Sequence, residues 1–271
     1  MSPGQKTRFS GLAVYSVLYL VFIYVPVLLL PLFSFNDSYY VSFPLREFTT
    51  RWYAEMAGNS ALLDALSNSA RVAGSASVIS TILGTLAARA FTRYRLPGSR
   101  PLMVVLILPL VVPGIILGIA LLVLLNSVGV TLSLVTITAG HVLIATPFAT
   151  LIMISRLEGF DANLEEASRD LGETGWMTFW RVTFPLVLPG IVASLLLTFT
   201  ESFDEFILAF FLGGNETTLP LFIWSQLRFP TRLPMVLALG ACILMASFVI
   251  VAFAEWVRRQ GAAPTRPSRE V

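Results

Sequence analysis

The sequence predicts an all-α, polytopic membrane protein with six transmembrane helices, and three observations predict it. The chain is 56% hydrophobic and 13% charged, where soluble domains carry about 25% charged residues. Six apolar runs approach or exceed the roughly 20 residues that a helix needs to cross a bilayer. The basic residues also fall unevenly between alternate connecting segments, as the positive-inside rule requires.

The runs are Gly11 to Phe33, Val72 to Phe91, Leu102 to Leu125, Leu132 to Ile154, Leu186 to Leu212, and Pro234 to Trp256. The first is too long for the apolar region of a cleavable signal, and no small-residue cleavage site follows it. The second is rich in Ser, Thr, Gly and Ala, which let helix backbones approach closely, so it is read as a buried span. The third and fifth share an echo: Leu108-Pro109-Leu110-Val111-Val112-Pro113-Gly114-Ile115 against Phe184-Pro185-Leu186-Val187-Leu188-Pro189-Gly190-Ile191. Pro and Gly inside spans mark broken or kinked helices. One echo does not establish a repeat architecture.

Orientation follows from Lys and Arg. With the N-terminus inside, the inner segments hold Lys6, Arg8, Arg89, Arg93, Arg95, Arg100, Arg156, Arg169, Arg181, Arg258, Arg259, Arg266 and Arg269. The outer ones hold Arg46, Arg51, Arg71, Arg228 and Arg232. Both termini are therefore expected in the cytoplasm. The division expected is a cytoplasmic N-terminus at 1–10, a transmembrane domain at 11–257 with a cytoplasmic loop at 155–185, and a cytoplasmic, disordered tail at 258–271. Outside, Ser34 to Ala70 is expected to hold a short helix around Arg51 to Glu55 and another from about Ala61 that leads into the second span. Asn126 to Thr131 reads as a tight turn, and Gly213 to Leu233 as a loop with one short helix.

Composition excludes several chemistries. One Cys (Cys242) and one His (His141) rule out a disulfide framework and argue against a Cys/His metal site. Lys6 is the sole lysine, so there is no Walker A loop, whose lysine reaches the terminal phosphates. If the chain takes part in ATP-driven work, another polypeptide binds the nucleotide. His141 is read as a packed, hydrogen-bonded residue, Cys242 as a small core residue, Pro147 as a kink, and Trp176 and Trp180 as interfacial anchors.

Two polar segments interrupt the apolar pattern. The first follows the fourth run. Asn163 and Glu166 have capping-box spacing, Leu164, Ala167 and Leu171 fall on one helical stripe, and Gly172 sits where a helix C-cap belongs. A second short helix is expected from Thr174, with Pro185 closing the segment. Such a pair can lie along the membrane surface and offer an Ala-centred stripe to a partner groove. An amphipathic loop without a partner would need neither the Gly at this offset nor the Pro.

The second segment is Thr200-Glu201-Ser202-Phe203-Asp204-Glu205-Phe206, inside the fifth run. On a continuous helix, Glu201 stands at i,i+3 to Asp204 and i,i+4 to Glu205, so three like charges crowd one face. Carboxylates are costly within a bilayer and persist where they meet water, a cation or a basic partner. Phe203, Phe206 and Phe210 flank them and can offer ring faces to a cation. Three placements remain open: lining a path for a cationic solute, pairing with Arg of a neighbouring subunit, or lying wet at the outer interface.

The spacing Glu166-Ala167-Ser168, three residues, Gly172, nine residues, Val182-Thr183-Phe184-Pro185 resembles the signature loop of the permeases of type I ABC importers. There the pattern reads Glu-Ala-Ala, three residues, Gly, nine residues, Ile-x-Leu-Pro. Phe35-Asn36-Asp37-Ser38, Phe48-Thr49-Thr50-Arg51-Trp52-Tyr53, Thr92-Arg93-Tyr94 and Ser202-Phe203-Asp204-Glu205-Phe206 resemble the spermidine/putrescine branch. The resemblance implies the MetI-like permease fold in a bacterial inner membrane and a subunit that is not itself an enzyme. It implies a second permease, expected to be a distinct paralogue, two ATPase subunits carrying ATP and Mg, and an extracytoplasmic solute-binding protein; this chain would hold no cofactor and bind no nucleic acid. In that machine ATP binding closes the ATPase pair and, through the docked loop, opens the permeases outward; hydrolysis resets them. Glu166, Ala167 and Gly172 would shape the docking helix, Pro185 would end the loop, and Glu165 and Asp170 would pair with basic residues of the ATPase. Glu201, Asp204 and Glu205, with Phe203 and Phe206, would line the path of a polyamine. The alternatives are the same machine carrying another solute (an opine, an amino-acid derivative or iron), or a proton-coupled secondary transporter.

Overall fold

The computed structural model describes residues 11–94, 96–159, 161 and 163–261, with the side chains of 250, 251 and 253–261 excepted. The N-terminal segment 1–10 and the tail from 262 lie outside the described residues. The chain falls into two compact units, Met1–Asn59 with Ser225–Val271, and Ser60–Trp224.

In the first unit, α1 (Gly11–Ser34) packs on α12 (Leu233–Gly261), and α2 (Arg51–Ala57) packs on α12 as well. The helix α12 runs past residue 258 to Gly261. Between α1 and α2 the chain folds back through a bridge of Asn36 with Phe48. Trp52, 1% exposed, donates its indole N–H to the Asn36 carbonyl at 2.9 Å. The Arg51 guanidinium lies 4.1 Å from the Trp52 ring centre and 3.0 Å from Asp37.

The second unit is built on three long helices: α3 (Ser60–Arg93), α6 (Leu134–Glu158) and α9 (Phe184–Asp204). The expected short helix near Ala61 is the first part of α3 and is continuous with the second span. Ser75 with Thr138 (3.5 Å) and Arg93 with the Leu157 carbonyl (3.1 Å) show that α3 and α6 run parallel. Thr81 with Ser194 (3.1 Å) and His141 with Ser202 (2.7 Å) place α9 antiparallel to both. Ala73, Ala76 and Ala88 of α3 and Ala149 of α6 are 0% exposed. Small residues line the seam, and at Gly84 an added Cβ would stand 2.5 Å from the Ala149 Cβ. The small-residue composition of the second run therefore corresponds to a close helix crossing.

Two spans depart from the expected single helices. The third run divides into α4 (Ser99–Val111) and α5 (Gly114–Ser127), bent by 102° at Val112–Pro113. Pro113 has no N–H to continue the ladder and disfavours helical dihedrals at Val112, which is extended at ψ 128°. In the fifth run α9 ends at Asp204, Glu205 is extended at ψ 118°, and α10 (Ile207–Leu212) starts afresh. The unit is completed by α7 (Asn163–Asp170), α8 (Gly175–Thr178) with its π-helical continuation Phe179–Thr183, and the first part of α11 (Leu219–Leu227). Gly129, at φ +72°, makes the tight turn before α6, and α11 with a 3₁₀ turn at Pro230–Arg232 fills the expected loop. Pro147 lies inside a continuous α6. Counting the bent pair as one span, the described residues hold six candidate membrane spans.

Candidate functional site

The α7 helix is short and closed at both ends. Its first residue is Asn163, so Asn163 is not the cap. Asp161 takes that part instead, its carboxylate accepting from the Asn163 N–H at 3.0 Å. At the far end Gly172 (φ +91°) donates to the Arg169 carbonyl at 2.9 Å, and Glu173 donates to Ser168 at 3.2 Å. These two bonds form a Schellman closure, whose left-handed residue is glycine because a Cβ would be strained there. Thr174 then caps α8 by accepting from the Met177 N–H at 3.3 Å. Trp176 and Trp180 meet edge to face at 5.6 Å and stay largely exposed.

The stripe expected on α7 is open to its surroundings: Leu164 is 47% and Leu171 87% exposed, and Ala167 between them is exposed. Glu166, Asp170, Gly172 and Pro185 are exposed too. Among the described residues Glu166 and Asp170 have no ion pair. Glu173 pairs with Arg181.

Glu165 departs from expectation. The resemblance implies a pairing with basic residues of an ATPase, but Glu165 is 4% exposed and turned inward. Its carboxylate accepts from the Thr183 hydroxyl at 2.6 Å. It stands 3.5 Å from the Arg93 Nε and 3.9 Å from the Arg89 Nη1, both on α3. One helical turn separates those arginines, so they reach the same spot from one face. Sequence reasoning counted Arg89 and Arg93 only as orienting charges; their i,i+4 spacing at a span end, facing an acidic helix, is the signal that was there to find.

In the fifth span the three carboxylates do not stack. The break after Asp204 takes Glu205 off the helix, and its carboxylate accepts from the N–H groups of Ile207 (2.9 and 3.1 Å) and Leu208 (3.0 Å). Glu205 thus closes the start of α10, where exposed donors and the helix dipole favour a negative group. Glu201 is half-buried and Asp204 exposed, and neither has a hydrogen bond or ion pair among the described residues. The aromatic flank divides as well. Phe203 stacks on Phe199 at 5.8 Å, whereas Phe206, Phe210 and Trp224 form a three-ring cluster with centroids 5.7 to 5.9 Å apart. Trp224, unnoticed in the sequence, lines an apolar recess with Ile115, Phe206 and Phe210. His141 is 1% exposed and bonded to Ser202, in keeping with a packed residue. Among the described residues no group of three or more His, Cys, Asp or Glu is placed to hold a metal ion.

Residues 80–260 match the family model described as binding-protein-dependent transport system inner membrane component. The putrescine transport system permease protein PotI of Escherichia coli K12 is 34% identical over 243 residues, covering 87% of this chain and 85% of that protein. The spermidine/putrescine transport system permease protein PotC of the same organism is 32% identical over 239 residues, covering 88% and 90%. A crystal structure of a bacterial ABC transporter involved in import of the acidic polysaccharide alginate superposes with a TM-score of 0.72 over 96% of this chain and all of the matched chain, at 17% identity. That likeness concerns the fold, which is the permease fold the signature loop implied. On these matches the chain belongs to the binding-protein-dependent transport system inner membrane components, and it is a non-catalytic, membrane-spanning permease subunit of an ABC importer.

Proposed function

We propose that this permease carries a polyamine, of the class of putrescine or spermidine, and is driven through α7. The carboxylates of Glu201 and Asp204, which have no cationic partner among the described residues, carry the reading. An acidic cargo would be repelled there, while a multiply charged ammonium would supply the missing counter-charge. The near full-length likeness to two polyamine permeases supports the same cargo. Phe206, with Phe210 and Trp224, offers ring faces for the alkylammonium chain beside those acids. Phe203, stacked on Phe199 beside Asp204, extends the same lining. Glu205 serves the path indirectly, by fixing the break that presents Asp204.

In this reading the exposed Leu164–Ala167–Leu171 stripe docks on an ATPase subunit that holds ATP and Mg, with Glu166 and Asp170 as the charges at its edge. Gly172 and Pro185 set the ends of the docking segment. A second permease completes the path, two ATPases power it, and an external binding protein delivers the solute. The ends bearing α7 and both termini face the cytoplasm, consistent with the excess of Arg and Lys there.

The test is uptake of labelled putrescine and spermidine by the reconstituted importer. Asp204→Asn and Glu201→Gln are expected to lower uptake about tenfold at equal expression, the effect of losing one charge-assisted contact. Glu166→Lys is expected to leave the chain inserted but abolish complex recovery and uptake. Unchanged transport kinetics in neutral replacements of Glu201, Asp204 and Glu205 would reject the polyamine path. Uptake that collapses under an uncoupler while ATP is maintained would point to a proton-driven carrier.

A further inference from the structure

We propose that Glu165 is the positioning residue that makes the docking helix and the membrane helices α3 and α6 move as one body, so that force received on α7 reaches the transport path. The proposal rests on the reading of α7 as the docking helix. Three elements meet at its carboxylate, and α6 is tied in through Arg93. Glu165 itself belongs to α7. Thr183, at the end of the π-helical turn, donates to it at 2.6 Å. Arg89 and Arg93 of α3 stand 3.9 and 3.5 Å away. Arg93 also donates to the carbonyl of Leu157 near the end of α6 at 3.1 Å, and Arg89 lies 4.9 Å from the Phe179 ring centre. The three charged side chains are only 5%, 15% and 14% exposed.

The need for such a joint follows from the size of α7. An eight-residue helix is marginal on its own, and its stripe of Leu164, Ala167 and Leu171 is exposed. Apart from Glu165, the described tie from α7 to the rest of its loop is a single hydroxyl contact, Ser168 with Thr178 at 3.2 Å. A docking push on the Leu164–Ala167–Leu171 stripe would otherwise swing α7 by itself. With the carboxylate in place, separating α7 from α3 takes the Glu165 charge away from two guanidinium groups in a mostly buried setting, which is unfavourable. The joint therefore stays closed while its elements move. From Arg89 and Arg93 the load passes along α3 to the Gly84–Ala149 crossing, where backbone meets backbone and little can slip.

The experiment uses the complete importer in proteoliposomes, with ATP hydrolysis and solute uptake measured on the same sample. Glu165→Gln keeps the shape and an acceptor for Thr183 but removes the charge. It is expected to leave complex recovery intact and ATP hydrolysis within about twofold, while solute moved per ATP falls about tenfold, an ordinary coupling effect. A residue needed only for folding would lower recovery and leave the ratio alone. Exchange of the charges, Glu165→Arg with Arg93→Glu, is expected to regain part of the ratio. Unchanged solute per ATP in Glu165→Gln and Glu165→Ala overturns the proposal. Loss of complex recovery in Glu165→Gln overturns it too, since it would place the carboxylate on the docking face or make it a folding residue. Glu166→Lys, run alongside, reports on docking itself: normal assembly and full uptake in that variant reject the docking reading, whatever Glu165→Gln does.

Discussion

Replacing Gly84 by Ala is the sharpest test of the three-helix core. The added Cβ would lie 2.5 Å from the Ala149 Cβ and 2.8 Å from the backbone of Ala149 and Thr150. Carbon atoms settle at about 3.5–4.0 Å, so α3 and α6 must part by about 1 Å at their crossing. No flexible side-chain end is available to give way there. Gly74→Ala is the matched control, in the same helix with nothing within 4 Å of the new atom. Both changes gain the same helix preference, up to about 1 kcal/mol. The difference between them is thus the strain alone, about 1–3 kcal/mol by the measure of overpacked cores. Thermal unfolding of the purified chain in detergent, followed by tryptophan fluorescence, reads this as a gap of roughly 5 °C for a unit of this size. Gly84→Ala melting at or above Gly74→Ala would refute the close crossing.

Two further substitutions probe the fifth span by the same melt. Glu205→Ala removes the acceptor for two N–H groups at the start of α10 and is expected to cost about 1 kcal/mol, whereas Asp204→Asn leaves the melting temperature unmoved; equal behaviour of the two would contradict the capping role. Ser202→Ala deprives His141 of its Nδ1 partner when its Nε2 has none among the described residues, at a cost of about 1–3 kcal/mol. The double replacement His141→Leu with Ser202→Ala should recover part of that loss, since an apolar pair leaves nothing unsatisfied; a double variant less stable than the single would argue otherwise.

How much of this was legible depended on what each feature rests upon. The apolar runs, the seam of small residues and the two short loop helices follow from composition and period, and helices occupy each of those stretches. The Gly172 closure was legible because only a left-handed position needs glycine at that offset. The breaks were half legible. Pro113 signalled a bend, but nothing local states that it reaches 102°. The break at Glu205 carries no proline or glycine, and its carboxylate works by folding back on its own backbone, which a helical-wheel reading of Glu201, Asp204 and Glu205 does not anticipate. Glu165 was misplaced for a different reason. Its partners, Arg89 and Arg93, lie far back in the chain on α3, and the periodicity of an eight-residue helix does not say which face a distant arginine will claim. Trp224 was missed likewise, since its ring partners, Phe206 and Phe210, lie on α10 and just before it.

The two helix breaks touch. A Cβ at Gly114 would lie 3.5 Å from the Ile207 side chain, and Ile115, Phe206 and Ile207 border one recess. Both interruptions have already given up the rungs of their ladders, so changing the angle at either one requires only rotation about a few backbone bonds. The stiffness of this unit is therefore uneven by construction. The α3–α6 blade resists bending along its length, while Val112–Pro113 and Glu205–Phe206 together form a knee next to Asp204.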